Sequence, residues 1–419
     1  MITLPLVTCH YSHPTPITTG TMCTNFSICY PTTYPSTHLT TLLSSSLNVS
    51  LPDPPWCTPS CTSADILYYQ DNLRKVPDQY THPDFYTYTH TLTLPLLDPD
   101  SYHTLHLPST SYSLTTPTAT YTGMNHHRTI PLSPLSPTIN LTISPPPPSL
   151  PSHLCPDPLL PTANEKCGQG GDHKLGNYTG AAQYATGWDW AIAIPDRITG
   201  FLQQPYITHT GPLTLSHLHV DTLNISDIEA GVAGVAYLNI TLTISSLEPS
   251  PTTATVTLTL PGTTITLPPA TYTTQTLSHT LMLTSVPLWY PWQLGSPTLH
   301  NCTATISINS TISDVASRSY GVRTVSTSIH PVTLGRTFLV NSLPLFLQGG
   351  NWIESDSTHT ATNSARYQHE VRLHKAAGMN LIRVWGGGVT EQPEFYRACN
   401  EQGMLVMQEF WMSGDNNGR

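Results

Sequence analysis

Hydrophobic and polar residues alternate along much of the first half of the chain. In the segment DFYTYTHTLTLP, Tyr and Leu alternate with Thr, which is the period-two pattern of a half-buried strand. Comparable stretches continue to residue 210, with a Pro-rich interruption at SPPPPSLP. They predict a first all-β domain over residues 65–210, whereas the Thr, Ser and Pro of residues 1–64 predict a mostly irregular segment.

A second run of alternating segments occupies residues 211–335. HLHVDTLNI, GVAYLNITLTISSL and ATVTLTLPGTTITL each have the strand period, and the last is split by a Pro-Gly turn at 261–262. Short strands separated by turn signals at this spacing predict a β-sandwich of immunoglobulin-like size.

The period changes again after residue 336. LPLFLQGGNW predicts a strand, and NSARYQHEVRLHKAAG predicts a helix with Asn363 or Ser364 as its N-cap and Gly378 as its C-terminal stop. LIRVW predicts a strand, the following helix begins at Pro393 and ends at Gly403, and MLVMQEFW predicts another strand. Strand, helix, strand, helix, strand is the opening of a parallel α/β unit.

Composition agrees with this multidomain, mostly β organisation. A chain of 419 residues is long enough for two to four domains at roughly 100 to 200 residues each. Charged residues make up 10% of the chain and there are 40 Pro, which disfavours long helices. The net charge of −10 and the absence of a basic stripe exclude a nucleic-acid partner, and no apolar run reaches the ~18 residues of a membrane span.

Cysteine and histidine usage predicts no metal or other cofactor. The 9 Cys lack the repeated close pairs of a zinc site; the pairs 57/61 and 155/167 are compatible with disulfides and with free thiols alike. The His pairs at 126/127 and 217/219 are read as structural. Sequons at residues 25, 48, 140, 177, 224, 239, 301 and 309 suit a secretory or vacuolar protein, but abundant Ser and Thr create them by chance, so localisation and oligomeric state stay open.

Several segments carry a family resemblance. They are GQGGDHKLG followed by GWDW, VPLWYPWQLG, YGVRTV, GGNWIESD and NLIRVWGGGVTEQPEFYRACNEQGMLVMQEFWMSGDNNGR. Together they resemble glycoside hydrolase family 2, and most closely its β-mannosidase and plant-type mannosylglycoprotein endo-β-mannosidase branch. The resemblance implies a jelly-roll domain over residues 65–210, an immunoglobulin-like β-sandwich over residues 211–335 and the start of a (β/α)₈ TIM barrel over residues 336–419.

The resemblance also implies the chemistry. Retaining glycoside hydrolysis uses one carboxylic acid to protonate the leaving oxygen and one carboxylate, about 5 to 5.5 Å away, to attack the anomeric carbon. In the family these two groups lie near barrel strands 4 and 7, and only three such strands are predicted before Arg419. We therefore expect both groups after Arg419 and assign no catalytic residue within the chain.

Strand geometry identifies candidate substrate-binding residues. In LIRVW, Ile382 and Val384 share one face, which suits packing under helices, whereas Arg383 and Trp385 share the other, which faces the barrel axis. Arg can bind sugar hydroxyls or carboxylates, and Trp can stack on a sugar ring. The structural alternatives are a buried ion pair for Arg383 and a core aromatic for Trp385.

Two further groups of candidates flank this strand. Glu409 and Trp411 share one face of the third predicted strand. Asn351, Trp352 and Asp356 lie at or beyond the end of the first. For each Trp the alternative is a packing aromatic, and for Glu409 it is the second half of an ion pair with the neighbouring arginine.

The WDW loop supplies the last candidates. The resemblance implies that Trp188 and Asp189 reach the barrel mouth, where the Asp189 carboxylate accepts hydrogen bonds from the terminal sugar. The alternative is that the loop packs the interface between domains.

Two hypotheses for function follow from the sequence. The first is a retaining β-glycosidase acting on β-mannosides of N-glycans or related oligosaccharides, present here as a fragment of a longer product. The second is a non-catalytic carbohydrate-binding or degenerate glycosidase-like protein. In both, the partner is a carbohydrate; the exact sugar and the exo or endo mode stay open.

Overall fold

The structure is a computed structural model, which describes residues 10–11, 14–24, 29–33, 36–39, 41, 75–76, 87–110, 113–123, 126–133, 137–144, 184, 194–354, 364–388 and 391–410. It is mostly β-structure. Within the described residues, no helix is long and apolar enough to cross a membrane.

We call the described part of residues 10–210 the first β region. Its strands are β1 (His10–Tyr11), β2 (Thr15–Pro16), β3 (Thr19–Thr24), β4 (Cys29–Thr33), β5 (Ser36–Thr37), β6 (Tyr88–Thr93), β7 (Tyr102–Leu107), β8 (Ser113–Thr115), β9 (Thr120–Thr122), β10 (Arg128–Leu132), β11 (Thr138–Ser144), β12 (Gly200–Phe201) and β13 (Tyr206–Thr210). Two antiparallel sheets, ordered β10-β7-β13-β2 and β4-β3-β6-β11-β8-β9, share one apolar core. Leu105 of the first sheet and Leu92 and Leu141 of the second are fully buried there.

The first 64 residues, which the sequence predicts to be mostly irregular, contain short strands in the part that the structure describes. Five short strands lie between His10 and Thr37; β3 pairs with β6, β2 with β13, and β1 with β21 of the second β region. The sequence does not predict these strands, because they are short and form by pairing with strands that are distant in sequence.

The second β region comprises residues 211–320. Its strands are β14 (Leu213–Glu229), β15 (Val232–Ser246), β16 (Thr252–Leu260), β17 (Thr263–Thr266), β18 (Ala270–Tyr272), β19 (Gln275–Pro287), β20 (His300–Ile308) and β21 (Thr311–Tyr320). Sheet β14-β15-β19 and the sheet built on β21-β20-β16-β17 enclose one core, which includes Ile240, Val256, Leu258 and Ile306. The predicted turn at 261–262 is confirmed, because Gly262 (φ 76°) joins the paired strands β16 and β17.

A small antiparallel sheet follows. It contains β22 (Val325–Ile329), β23 (Arg336–Val340) and β24 (Leu343–Leu345). The single predicted strand LPLFLQGGNW is therefore wrong: its first part is β24, and its last part enters a different sheet. Asn380 stabilises the break, since its side chain accepts from the N–H of Gln348 (2.9 Å) and donates to the carbonyl of Phe346 (2.8 Å).

The described part of residues 349–410 forms what we call the parallel unit. It contains β25 (Gly349–Trp352), α1 (Ser364–Ala376), β26 (Leu381–Val384), α2 (Pro393–Gln402) and β27 (Leu405–Gln408). The three strands pair in parallel in the order β25-β26-β27. The predicted helix stops are confirmed: Gly378 (φ 84°) and Gly403 (φ 72°) both adopt the left-handed conformation.

Candidate functional site

Three polar side chains meet at the carboxyl ends of the parallel strands. Arg383 of β26 donates from Nη1 to Oδ1 of Asn351 on β25 (2.7 Å) and from Nε to Oε1 of Glu409, just after β27 (2.8 Å). Its Nη2 also bonds the same carboxylate oxygen. Neighbouring parallel strands present matching positions at one edge, so three residues far apart in sequence converge there. We call Asn351, Arg383 and Glu409 the strand-end cluster.

The alternation predicted for LIRVW is confirmed. Ile382 and Val384 are buried beneath the helices, whereas Arg383 and Trp385 are half-buried. In the same way the side chain of Asn351 is exposed while that of Trp352 is buried, because successive strand side chains point to opposite faces. The strand-end cluster therefore lies on the sheet face opposite the helices.

Glu409 is held as a carboxylate. Slight burial raises its pKa, but hydrogen bonds from Arg383 and from the backbone N–H of Gly386, together with the arginine charge, lower it below the ordinary value. The Gly386 N–H reaches Oε2 at 2.9 Å, so the two carboxylate oxygens are separately engaged. The side chains of Arg383 and Glu409 keep 34% and 30% of their surface exposed, which leaves the cluster open to a polar ligand.

Trp352 lies away from this cluster. It is 6% exposed and packs between the helices, with its ring centroid 4.7 Å from that of Phe395. Its indole N–H donates to Glu391, a residue that sequence reasoning missed (2.6 Å). The sequence feature that could have identified Glu391 is its position directly before Gln392 and Pro393, at the start of α2, where the helix dipole favours a carboxylate.

The first β region contacts the parallel unit at Gln392, the residue after Glu391. Residues 194–202 are all buried, and Gln392 donates from Nε2 to the carbonyl of Leu202 (2.6 Å). Within this segment, Asp196 accepts from the backbone N–H of Leu39 (2.8 Å), and Arg197 and Ile198 have positive φ values of 52° and 58°. The chain that follows the WDW loop is thus fixed at the strand-end side of the parallel unit.

The remaining predicted site residues divide as follows. Asn351, Arg383 and Glu409 are brought together, and Trp385 is the second residue after Arg383. Trp188, Asp189, Asp356 and Trp411 lie outside the described residues. Among those that are described, no three His, Cys, Asp or Glu side chains are placed to hold a metal ion together.

Sequence comparison identifies relatives that are named as β-mannosidases. The chain is 34% identical over 269 residues to a mannosylglycoprotein endo-β-mannosidase of Lilium longiflorum, covering 60% of this chain and 27% of that protein. It is 28% identical over 281 residues to β-mannosidase B of Emericella nidulans, covering 62% and 31%. The chain thus spans less than a third of the length of either relative. No protein-family model matches it.

Solved structures share the fold. The β-D-mannosidase of Dictyoglomus thermophilum matches with a TM-score of 0.69 and 19% identity, covering 95% of this chain and 47% of that one. An exo-chitosanase of Amycolatopsis orientalis matches with a TM-score of 0.70 and 18% identity, covering 95% and 43%. The chain is thus similar in sequence to β-mannosidases and shares its fold with these solved glycosidases.

Proposed function

We propose that this chain is part of a retaining glycoside hydrolase that acts on β-mannosides. In this proposal residues 65–210 are a jelly-roll domain, residues 211–335 an immunoglobulin-like sandwich, and residues 336–419 the start of a (β/α)₈ barrel. The strands β25, β26 and β27 would be the first three of that barrel. The two reacting carboxylates would come from a longer protein, after Arg419.

The strand-end cluster is the observation that carries the proposal. Active sites of (β/α)₈ enzymes lie at the carboxyl ends of the strands, which is where Asn351, Arg383 and Glu409 converge. The Arg383 guanidinium has donors for sugar hydroxyls, and the two neighbouring side chains fix its orientation. Trp385 would stack on the apolar face of a sugar ring.

Trp188 and Asp189 would complete the sugar site from the first β region. The support is the contact between Leu202 and Gln392, because it holds the chain after the WDW loop against the strand-end side of the parallel unit. Asp189 would accept hydrogen bonds from the hydroxyls of the terminal sugar. Asp356 and Trp411, which follow β25 and β27, would line the same mouth.

Sugar binding by the chain tests the site. Titration of residues 1–419 with methyl β-D-mannoside, followed by tryptophan fluorescence, should show saturable binding. Arg383→Ala should weaken it at least tenfold, about 1.4 kcal/mol, since hydrogen bonds to a charged group are lost. Arg372→Ala is the matched control: it removes the same charge from an exposed position of α1. Equal effects of the two variants, or no binding at all, would contradict the proposed site.

Hydrolysis distinguishes the enzyme from a binding protein. If the transcript continues in frame beyond the codon for Arg419, the full product should cleave 4-nitrophenyl β-D-mannoside with retention, as seen from the first product anomer by NMR. Binding without cleavage by that product would favour the alternative, a non-catalytic carbohydrate-binding protein.

A further inference from the structure

Glu391 is a buried carboxylate that joins three elements of the parallel unit. Its side chain lies just before α2 and the residue is 3% exposed. Oε1 accepts from the indole N–H of Trp352 on β25 (2.6 Å), and Oε2 accepts from the hydroxyl of Tyr367 on α1. Glu391 therefore connects β25, α1 and the entry to α2.

The surroundings of Glu391 suit a charged group. A buried carboxylate is costly unless hydrogen bonds and favourable dipoles compensate for lost hydration, and the N-terminus of α2 at Pro393 supplies such a dipole. Burial first, and then the Glu391 carboxylate, raise the pKa values of Tyr396 and Cys399 on the same helix. Both groups stay neutral beside it at physiological pH.

The contact with Trp352 reaches the strand-end cluster along β25. Asn351, which binds Arg383, is the preceding residue and points to the opposite face, so both side chains depend on the position of the same strand backbone. The carbonyl of Trp352 also accepts from the backbone N–H of Trp385 (3.4 Å). Holding the Trp352 ring therefore constrains two of the candidate sugar-binding residues.

A second connection runs from α2 to the other flank of the cluster. The Tyr396 hydroxyl donates to Oε1 of Gln408 (2.6 Å), whose Nε2 donates to the carbonyl of Glu409 (2.7 Å). The helix that follows Glu391 thus contacts both strands that flank β26, through Phe395 on Trp352 and Tyr396 on Gln408.

We propose that Glu391 is a positioning residue: by anchoring Trp352 and Tyr367 it holds Asn351 and Arg383 in the geometry that binds the sugar. It does not touch the strand-end cluster itself. This inference rests on the proposed function for its consequence in sugar binding, but its effect on Arg383 is measurable without a sugar.

Two substitutions separate the hydrogen bonds of Glu391 from its charge. In Glu391→Gln, the amide oxygen can accept from Trp352 and the amide N–H can donate to the Tyr367 hydroxyl oxygen, so both contacts are retained. In Glu391→Ala, both buried donors lose their acceptor. Glu394→Ala is the charge-matched control. Glu394 lies in the first turn of α2, its side chain is partly exposed, and it forms a long ion pair with Arg397 (3.9 Å).

A third variant controls for lost stability. Val371→Ala truncates a fully buried side chain of α1 in the same apolar core without touching the carboxylate. It should lower the thermal midpoint in the same way as Glu391→Ala, because it leaves a cavity.

The readouts are the side-chain N–H resonances of ¹⁵N-labelled Arg383 and the affinity for methyl β-D-mannoside. Hydrogen bonds from Nη1 to Asn351 and from Nε and Nη2 to Glu409 slow guanidinium rotation and keep the Nη–H resonances distinct. Glu391→Ala should average these resonances and weaken sugar binding about tenfold. Glu391→Gln, Glu394→Ala and Val371→Ala should keep the resonances distinct and the affinity within about twofold.

Unchanged Arg383 resonances in Glu391→Ala would overturn the proposal, because Glu391 would then support the core alone. The same averaging in Val371→Ala would also overturn it. If the wild-type chain binds no mannoside, the proposed function fails, and the Arg383 resonances still decide whether Glu391 positions the cluster.

Discussion

The contribution of Glu409 to the stability of the folded protein depends on its ionisation. Glu409 has a pKa below its ordinary value in the folded protein because of Arg383 and Gly386, so the unfolded chain takes up its proton at higher pH than the folded protein does. The ion pair is partly exposed, and its contribution to stability is therefore modest.

This predicts a pH-dependent effect of Glu409→Gln. The variant should unfold at a lower temperature than the wild type at pH 7, and the difference should shrink as the pH falls below about 4.5, where the unfolded carboxyl is protonated anyway. Thermal unfolding of both proteins between pH 3 and pH 7 measures it. A difference that grows in acid would contradict the assigned ion pair.

Two glycines at helix ends allow a second prediction. Both Gly378 and Gly403 have positive φ, but a Cβ at Gly378 would meet nothing within 4 Å, whereas one at Gly403 would lie 2.7 Å from the backbone N of Trp292. Gly378→Ala should therefore cost only the backbone strain, about 1 to 2 kcal/mol. Gly403→Ala should cost more and lower the thermal midpoint further. Equal midpoints for the two variants would show that the backbone at Trp292 moves to accommodate the added Cβ without a loss of stability.

Residue positions were predictable where they depend on local period. Alternation in LIRVW is sufficient to put Arg383 opposite Ile382 and Val384, and Glu409 was foreseen as the other half of its ion pair. The role of Glu391 was not predictable, because its partners Trp352 and Tyr367 are distant in sequence and meet it only when β25, α1 and α2 pack together.

At the scale of elements, strands and helix ends follow the sequence closely where the pattern is long. The segments predicted in residues 211–266 fall on β14 to β17, and β16 shows the predicted alternation, since every second residue from Ala254 to Leu260 is buried. Short strands such as β3 and β4 were not predicted, because a run of five or six residues is too short to show a clear alternation of hydrophobic and polar positions. The break between β24 and β25 depends on Asn380, which is about thirty residues away in sequence.

The histidines distinguish the two β regions. Among the described residues, the buried ones are His38, His90, His103 and His106, all in the first β region. The nitrogen Nε2 of His103 lies 2.6 Å from the carbonyl oxygen of Asp98, to which it can only donate, and its Nδ1 lies 2.8 Å from Nδ1 of His209.

We therefore predict that acid loosens the first β region before the second. Burial lowers the pKa of His106 to about 3 and that of His90 well below its ordinary value, so the unfolded chain binds protons that the folded protein excludes. Stability is lost as the pH falls below about 6.5, the ordinary value for His. Hydrogen exchange at pH 7.5 and 5.5, corrected for intrinsic rates, should show a larger loss of protection in β7 and β13 than in β15. Equal losses would contradict the assignment.

At the scale of the whole molecule, two tryptophans join the second β region to the parallel unit. Trp289 and Trp292 donate their indole N–H groups to the carbonyls of Asn400 (2.9 Å) and Met379 (2.8 Å), at the C-terminal ends of α2 and α1. Lys375 lies 5.7 Å from the Trp292 ring centroid. Because helix C-termini present unsatisfied carbonyls with partial negative charge, Trp289 caps α2 from outside, whereas Trp292 binds the chain just after α1.

The sequence predicts β-rich units followed by a parallel α/β unit, but it does not predict how they are joined. VPLWYPWQLG was informative as a family motif, whereas its contacts depend on the helix ends that Gly378 and Gly403 create. In the structure the motif forms a joint, since the backbone N–H of Trp292 also donates to the carbonyl of Gly403 (3.0 Å).

The joint predicts how the parallel unit is released. Trp292→Ala removes the bond to Met379 and the contact with Lys375, so the unit should detach more often and the connecting segment over residues 325–348 should unfold and be cleaved more often. A loss of about 1.4 kcal/mol would raise cleavage there about tenfold when opening is in rapid equilibrium. Tyr237→Ala, which truncates a 42% exposed aromatic of β15 outside the joint, is the control and should cleave at the wild-type rate. Mass spectrometry of the fragments locates the cut. If Trp292→Ala is cut no faster than the control, then Trp289 and the backbone contacts hold the parallel unit without it.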